Sequence, residues 1–282
     1  MLTIALPNKG SLSDGAVRLF EDAGFHCRRY GRELALRDSE NNAEFIFLRP
    51  RDIAIYVGNG TLDIGITGRD LAQDSGAPVS EMLPLKFGRS AFHYAAPVDS
   101  SLLPDDFSGL RIATSYPGLV HADLTRRRVD ARVVRLDGAV EISIRLGVAD
   151  VIADVVQTGR TLDQAGLKII GEPIFKSEAV LIAQQPEAAE RPDVKLVMDR
   201  LNGIVVAREY VMVEYDVESA HLDRACAITP GIESPTVAPL SKSDWVAVKA
   251  MARRRDVNPI MDNLAAIGAK GIIVTDIRTC RL

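Results

Sequence analysis

Residues 137–162 read DGAVEISIRLGVADVIADVVQTGRTL, and this stretch sets how the rest of the chain is parsed. Val151–Val156 is a short apolar run with a β-branched bias, the pattern of a strand buried on both faces. Glu141–Leu146 before it has the spacing of a helix. Gln157-Thr158-Gly159-Arg160-Thr161 after it is a glycine-containing turn, and Leu162–Leu167 opens another helix. A buried strand that runs through a tight turn into a helix is the repeating unit of a parallel α/β sheet.

The same unit recurs outward from this stretch. Leu2–Pro7 reads as a buried strand, Asn8-Lys9-Gly10-Ser11 as a turn, and Leu12, Ala16, Leu19 and Phe20 as one face of a helix that Gly24 ends. Glu44–Leu48 is a strand before Arg49-Pro50-Arg51-Asp52, and a short helix follows to Gly58-Asn59-Gly60. Leu62–Thr67 is a strand before Gly68-Arg69-Asp70, and Leu110–Thr114, Ala131–Leu136 and Ala149–Val155 are further strands, each followed by a helical pattern. Such sheets place ligands at the carboxyl ends of their strands.

The pattern changes near residue 185, where Gln184–Pro192 is a polar, proline-bounded linker. Val194, Val197, Met198, Leu201, Ile204 and Val205 then recur at helical spacing. Tyr210–Tyr215 alternates as a strand, Ser219–Ile228 reads as a helix, and Thr236–Ala238 and Trp245–Met251 as strands. Asp256–Ile267 is an amphipathic helix stopped by Gly268, and Gly271–Ile277 a last strand. The order βαββαβ is the ferredoxin-like arrangement and predicts a separate C-terminal module.

Composition narrows the function. The chain has 282 residues, 47% hydrophobic and 26% charged, with a formal net charge of -4. That is a soluble composition of about two domains. The negative balance and the absence of interleaved aromatic and basic residues disfavour a nucleic-acid or membrane-surface partner. Cys27, Cys226 and Cys280 are too scattered for a disulfide framework or a metal clip. No apolar run approaches the ~20 residues needed to span a bilayer, and the opening residues lack the basic start of a signal peptide, so a cytoplasmic protein is expected. His26, His93, His121 and His221 show no metal spacing. Arg126-Arg127-Arg128 and Arg253-Arg254-Arg255 read first as solvated faces.

The chemistry centres on Asp154 to Thr161. Backbone N–H groups of a glycine turn at a helix N-terminus make an anion cradle, and Thr158 and Thr161 add hydroxyl donors. Asp154, at the strand end, can accept hydrogen bonds from ribose hydroxyls while the loop holds a 5′-phosphate. Thr-Gly-x-Thr alone is equally a turn with a helix cap. The longer pattern of Glu141, Gly147, Ala149, Ile152, Asp154, Val155, Thr158, Gly159, Thr161 and Leu162 resembles the signature of the ATP phosphoribosyltransferase family. Ala153 stands where nucleobase-salvage phosphoribosyltransferases usually carry a second acid, which separates this chain from them.

The resemblance extends through Leu6–Gly10, Phe47–Ile53, Ile64–Leu71, Gly171–Pro173, Ser177–Val180 and Thr229–Thr236. It is to the family's long form, which ends in a histidine-binding regulatory domain. It implies a two-lobed type II periplasmic-binding-protein-like core. Lobe one would comprise residues 1–93 with 180–208, lobe two residues 94–179, and the regulatory domain residues 209–282. The chain would cross between lobes near Phe92–Pro97 and return near Ala179–Ala183.

The implied reaction joins the phosphoribosyl group of phosphoribosyl pyrophosphate to N1 of ATP. Asp154 and Glu141 are expected at the ribose hydroxyls. Gln157, Thr158, Gly159, Arg160 and Thr161 are expected around the 5′-phosphate. By resemblance, Lys9, Gly10, Arg49, Asp70 and Leu71 face ligands of the other lobe. On their own, Lys9 reads as a solvated turn lysine, Arg49 as a surface pair and Asp70 as a helix cap. Magnesium is expected on the substrate phosphates, with no protein metal cage. Histidine would meet Asp216, Ile232, Ser234, Thr236 and Gly271, AMP would be a further inhibitor, and dimers would build a hexamer. Rival readings are a two-lobed binding protein and a silent regulatory paralogue.

Overall fold

The computed structural model describes residues 1–156 and 160–281, with Arg160 described in its backbone alone. The chain divides into two compact units, Met1–Met198 and Asp199–Leu282.

The first unit contains two sheets. The strands are β1 (Leu2–Pro7), β2 (Ala35–Asp38), β3 (Ala43–Leu48), β4 (Ile64–Gly68), β5 (Ser80–Pro84), β6 (Ser90–Pro97), β7 (Arg111–Thr114), β8 (Arg132–Arg135), β9 (Val151–Val156), β10 (Leu167–Ser177) and β11 (Ala179–Ala183). The helices are α1 (Ser11–Asp22), α2 (Pro50–Gly58), α3 (Arg69–Ser75), α4 (Pro117–Arg127) and α5 (Arg160–Gln164), and α6 (Pro192–Glu209) runs across the boundary of the units. The first sheet has the order β2-β3-β1-β4-β11-β5 and the second β10-β6-β9-β7-β8. β3, β1 and β4 are mutually parallel, as are β9, β7 and β8, while β11 and β6 run against their neighbours.

Alternation along β1 explains its two covered faces. Ile4 and Leu6 lie level with Phe45 and Phe47, and Phe20 of α1 meets Phe45 edge to face at 5.1 Å. Ala5 belongs instead to a cluster with Ile53, Ala54 and Val57 of α2. In the second sheet, Tyr94, Ile112, Val151 and Ala153 pack with Leu119, Val120 and Leu124 of α4, and Ala95, Ala113 and Ile152 pack in a second cluster with Val140 and Leu162.

Both strand exchanges between the sheets are short. The chain leaves the first sheet after Pro84, enters the second at Ser90, and returns across Glu178 between β10 and β11. Ser90–His93, expected in the first lobe, therefore pair wholly within the second sheet, and Ala179, expected in the second, pairs in the first. Strand continuity decides this: β6 has unbroken ladder partners from Ala91 to Ala95, so no crossing falls inside it. The helix expected over Glu141–Leu146 is a 3-10 turn over Val140–Ile142. It follows Ala139, whose φ of 47° breaks regular backbone just before it.

The second unit carries β12 (Tyr210–Glu218), α7 (Leu222–Ile228), β13 (Thr236–Pro239), β14 (Trp245–Arg253), α8 (Val257–Ala266) and β15 (Lys270–Asp276). Its sheet has the order β13-β14-β12-β15, antiparallel throughout, which is the ferredoxin-like arrangement. Val211, Val213, Tyr215 and Val217 alternate into a core with Ala225 and Leu264. The Tyr215 hydroxyl is satisfied there by Thr229 Oγ1 at 2.7 Å.

Candidate active site

The candidate residues lie where parallel strands give way to helices. At the end of β1, Lys9 and Gly10 are exposed. Gly10 holds a φ of 78° at the start of α1, a left-handed conformation that favours glycine. At the end of β3, exposed Arg49 precedes α2, and Pro50 supplies the fixed φ of its first turn. Thr67 at the end of β4 donates its hydroxyl to the Pro50 carbonyl at 2.7 Å, tying the two strand ends together.

Asp70 lies in the first turn of α3 and is buried, as is Leu71. Its backbone N–H donates to Ser177 Oγ at 3.0 Å, and that hydroxyl donates to Asp70 Oδ1 at 2.8 Å. Ser177 ends β10 beside the return crossing, so Asp70 is anchored by the strand that leads out of the second sheet.

Across from these residues stands the end of β9. Asp154 is half-buried, and its Oδ1 accepts the Val155 N–H at 2.7 Å. Burial raises its carboxyl pKa above the ordinary value, and the neighbouring Glu141 carboxylate adds to the rise. The Val155 N–H and the Arg51 guanidinium oppose it. Two acids and one arginine thus share a partly dry position. Asp150 secures the base of this strand: it accepts Arg111 Nη2 at 2.8 Å and the Arg111 N–H at 2.9 Å, joining β7 to β9.

Tyr116 and Arg51 complete the group. Tyr116 closes the β7–α4 turn, where Thr114 Oγ1 accepts its N–H at 2.9 Å. Burial raises its phenol pKa, and the Asp70 and Asp154 carboxylates raise it further. The Arg51 guanidinium covers the Tyr116 ring at 4.7 Å. Asp70 of α3 and Asp154 of β9, from the two lobes, therefore act on one phenol, that of Tyr116. Neither Tyr116 nor Arg51 stands out in the sequence. Arg51 follows Arg49 within a quoted motif, and Tyr116 precedes a Pro-Gly turn, which signals a loop and nothing more.

Gln157, Thr158 and Gly159 lie outside the described residues. Arg160 opens α5, and Thr161 is exposed in its first turn. His93 stands opposite Asp154 in the β6–β9 ladder. Burial lowers its pKa against the pull of Glu172, and its Nδ1 has no hydrogen-bond partner among the described residues. Among the described residues, no group of His, Cys, Asp and Glu is placed to hold a metal ion, and no helix is long and apolar enough to cross a membrane.

The expected histidine site divides within one chain. Asp216 of β12 pairs with Lys270, beside exposed Gly271, whose φ is 58°. Thr236 begins β13, two strands away on the other side of β14, a separation of about 10 Å across the ladder. Ile232 and Ser234 are exposed in the segment leading to it. The strand order keeps these groups apart as neighbours in a single protomer.

A family model described as ATP phosphoribosyltransferase matches residues 49–203, and one described as HisG, C-terminal domain, matches residues 207–279. A Salinibacter ruber protein named ATP phosphoribosyltransferase is 62% identical over 283 residues, covering 100% of both chains. One of the same name from Mycobacterium tuberculosis is 54% identical over 288 residues, again covering 100% of both. Among solved structures, the ATP phosphoribosyl transferase (HisG:HisZ) complex from Thermotoga maritima aligns at a TM-score of 0.63 and 24% identity. The alignment covers 73% of this chain and 98% of that one, a likeness of fold.

Proposed function

The chain belongs to the ATP phosphoribosyltransferase family, whose reaction opens histidine biosynthesis, and we propose that its cleft carries out that transfer with the following assignment of roles. Adenine N1 of ATP attacks the anomeric carbon of phosphoribosyl pyrophosphate. The new N1–C1′ bond forms, the bond to the pyrophosphate oxygen breaks, and pyrophosphate leaves with the bonding electrons. N1 is unprotonated at neutral pH, so no strong base is required. Catalysis rests on positioning and on stabilising the leaving group.

Asp154 and Glu141 accept hydrogen bonds from the ribose hydroxyls. The segment Gln157-Thr158-Gly159-Arg160-Thr161 holds the 5′-phosphate, and Lys9, Gly10 and Arg49 meet the phosphate charge of the other ligand. Asp70 and Leu71 shape the facing wall. The observation that carries this reading is the placement of half-buried Asp154 near the end of β9, within the field of the Arg51 guanidinium. Exposed Lys9 and Arg49 at neighbouring strand ends support the phosphate role.

Magnesium is assigned as an ion carried on the substrate phosphates. When bound, it supplies neutralisation of the pyrophosphate charge. The C-terminal unit is assigned histidine inhibition through Asp216, Ile232, Ser234, Thr236 and Gly271. A site completed between protomers of a dimer or hexamer reconciles their separation in one chain. AMP is a second inhibitor in this reading, and the enzyme works in the cytoplasm.

The test mixes purified protein with ATP, phosphoribosyl pyrophosphate and magnesium and follows pyrophosphate release, with and without histidine. Release that requires ATP and is suppressed by histidine supports the whole assignment. Release without suppression removes the histidine site, and no release from a folded protein removes the catalytic roles.

A further inference from the structure

We propose that Asp74 is a positioning residue for the transfer: it clamps the two lobes across the cleft and thereby holds Arg51 and Tyr116 against Asp154. The inference rests on the catalytic reading above and adds to it a residue that touches no substrate.

The N-terminus of α4 has no side-chain cap from its own chain segment. Asp74, on α3, provides one from the other lobe. Its Oδ1 accepts the N–H groups of Gly118 at 2.7 Å and Leu119 at 3.2 Å, the first turn of α4. Its Oδ2 accepts Arg51 Nη1 at 2.7 Å, and its side chain is only 6% exposed. The approach is backbone to backbone, because a Cβ on Gly118 would drive into the Asp74 carbonyl oxygen.

α3 follows β4 of the first sheet and α4 follows β7 of the second. One carboxylate therefore bridges elements of both lobes and fixes Arg51, which covers the Tyr116 ring at 4.7 Å. The lobes are also tied by the hydrogen bonds between Asp70 and Ser177 and by the connections at residues 85–89 and 178. Two lobes on short connections populate open and closed arrangements, and substrates that need the closed one bind with an apparent affinity reduced by its fractional population. Loss of the clamp lowers that fraction for both substrates alike. A residue that touched one substrate would change the KM of that substrate alone.

Steady-state pyrophosphate release by the full chain tests this with Asp74→Ala, Asp74→Asn and Gly118→Ala. Asp74→Ala is expected to raise KM for ATP and for phosphoribosyl pyrophosphate by the same factor, about tenfold, the value of one hydrogen bond to a charged group. Its kcat should stay within about twofold, as an effect on closure alone requires. Asp74→Asn keeps an acceptor for the helix and gives a smaller, equally shared rise. Gly118→Ala, which opens the same contact from the other side, reproduces the Asp74→Ala pattern. Hydrogen exchange at the Gly118 and Leu119 amides is slow in the unliganded parent and fast in Asp74→Ala. Unchanged KM values, a rise confined to one substrate, or a fall in kcat alone overturns the proposal. If Asp74→Ala does not fold, Asp74→Asn and Gly118→Ala decide it by the same criterion. If the parent chain releases no pyrophosphate, the catalytic reading fails separately, and amide exchange alone decides the clamp.

Discussion

Changing Asp154 to Asn separates what this carboxylate does for substrate from what it does to the fold. The carboxylate sits half-buried at the end of β9, with one oxygen already accepting the Val155 N–H at 2.7 Å. In the proposed complex its remaining capacity goes to two ribose hydroxyls, and hydrogen bonds to a charged group contribute about 1.5–3 kcal/mol each. Asparagine keeps one oxygen acceptor and loses the charge, so the expected loss is about 2–4 kcal/mol. That corresponds to about thirty- to a thousandfold in kcat/KM for phosphoribosyl pyrophosphate. Stability should move the other way. Burial and Glu141 raise the Asp154 pKa in the folded chain, so between the unfolded and folded values the native state binds more protons than the unfolded state. The stability this contributes is complete below the unfolded pKa and is lost as pH rises through the folded one. At neutral pH the ionised side chain is therefore unfavourable, and asparagine removes that cost. Parallel measurements of kcat/KM and of thermal unfolding at neutral pH and near pH 4 check both halves. A kcat/KM within about threefold of the parent would refute the ribose role. A Tm clearly below the parent's at neutral pH would refute the electrostatic argument.

Lys9→Ala and Arg49→Ala should each raise the KM of a phosphate-bearing substrate about tenfold, with a smaller effect at high salt. Both side chains are exposed, so unfolding curves should not change. Thr229→Val leaves the buried Tyr215 hydroxyl without its 2.7 Å partner and should destabilise the C-terminal unit by about 1–3 kcal/mol in denaturant titrations, with uninhibited turnover preserved. Asp216→Ala should abolish suppression by histidine without changing the KM of either substrate. Suppression at the parent's histidine concentration would remove Asp216 from the site.

Local pattern carried a large part of this protein. The run Val151–Val156 with its glycine turn declares a buried strand feeding a helix, because β-branched residues favour a pleated, covered surface and glycine permits the turn. The same logic placed Pro7 to Gly10, Arg49 and Asp70 at strand ends, and the period of the C-terminal segment gave βαββαβ, whose strand order β13-β14-β12-β15 agrees. Edge strands with weak alternation, such as Ala35–Asp38 and Ser80–Pro84, left no comparable signal. Periodicity reports which face of an element is covered, but not by what. It could not show that β11 inserts between β4 and β5, so that residues 85–89 and 178 carry the crossings. Nor could it show that Arg51, Asp74 and Tyr116, on three different helices or turns, meet across the cleft. Those contacts join residues far apart in sequence, and only the packed sheets fix the distances between them. Residue pattern set most of the central strands and helices and the residues that stand at their ends. The tertiary structure decided which of those residues face one another, because charge coupling, capping and burial depend on distance in space.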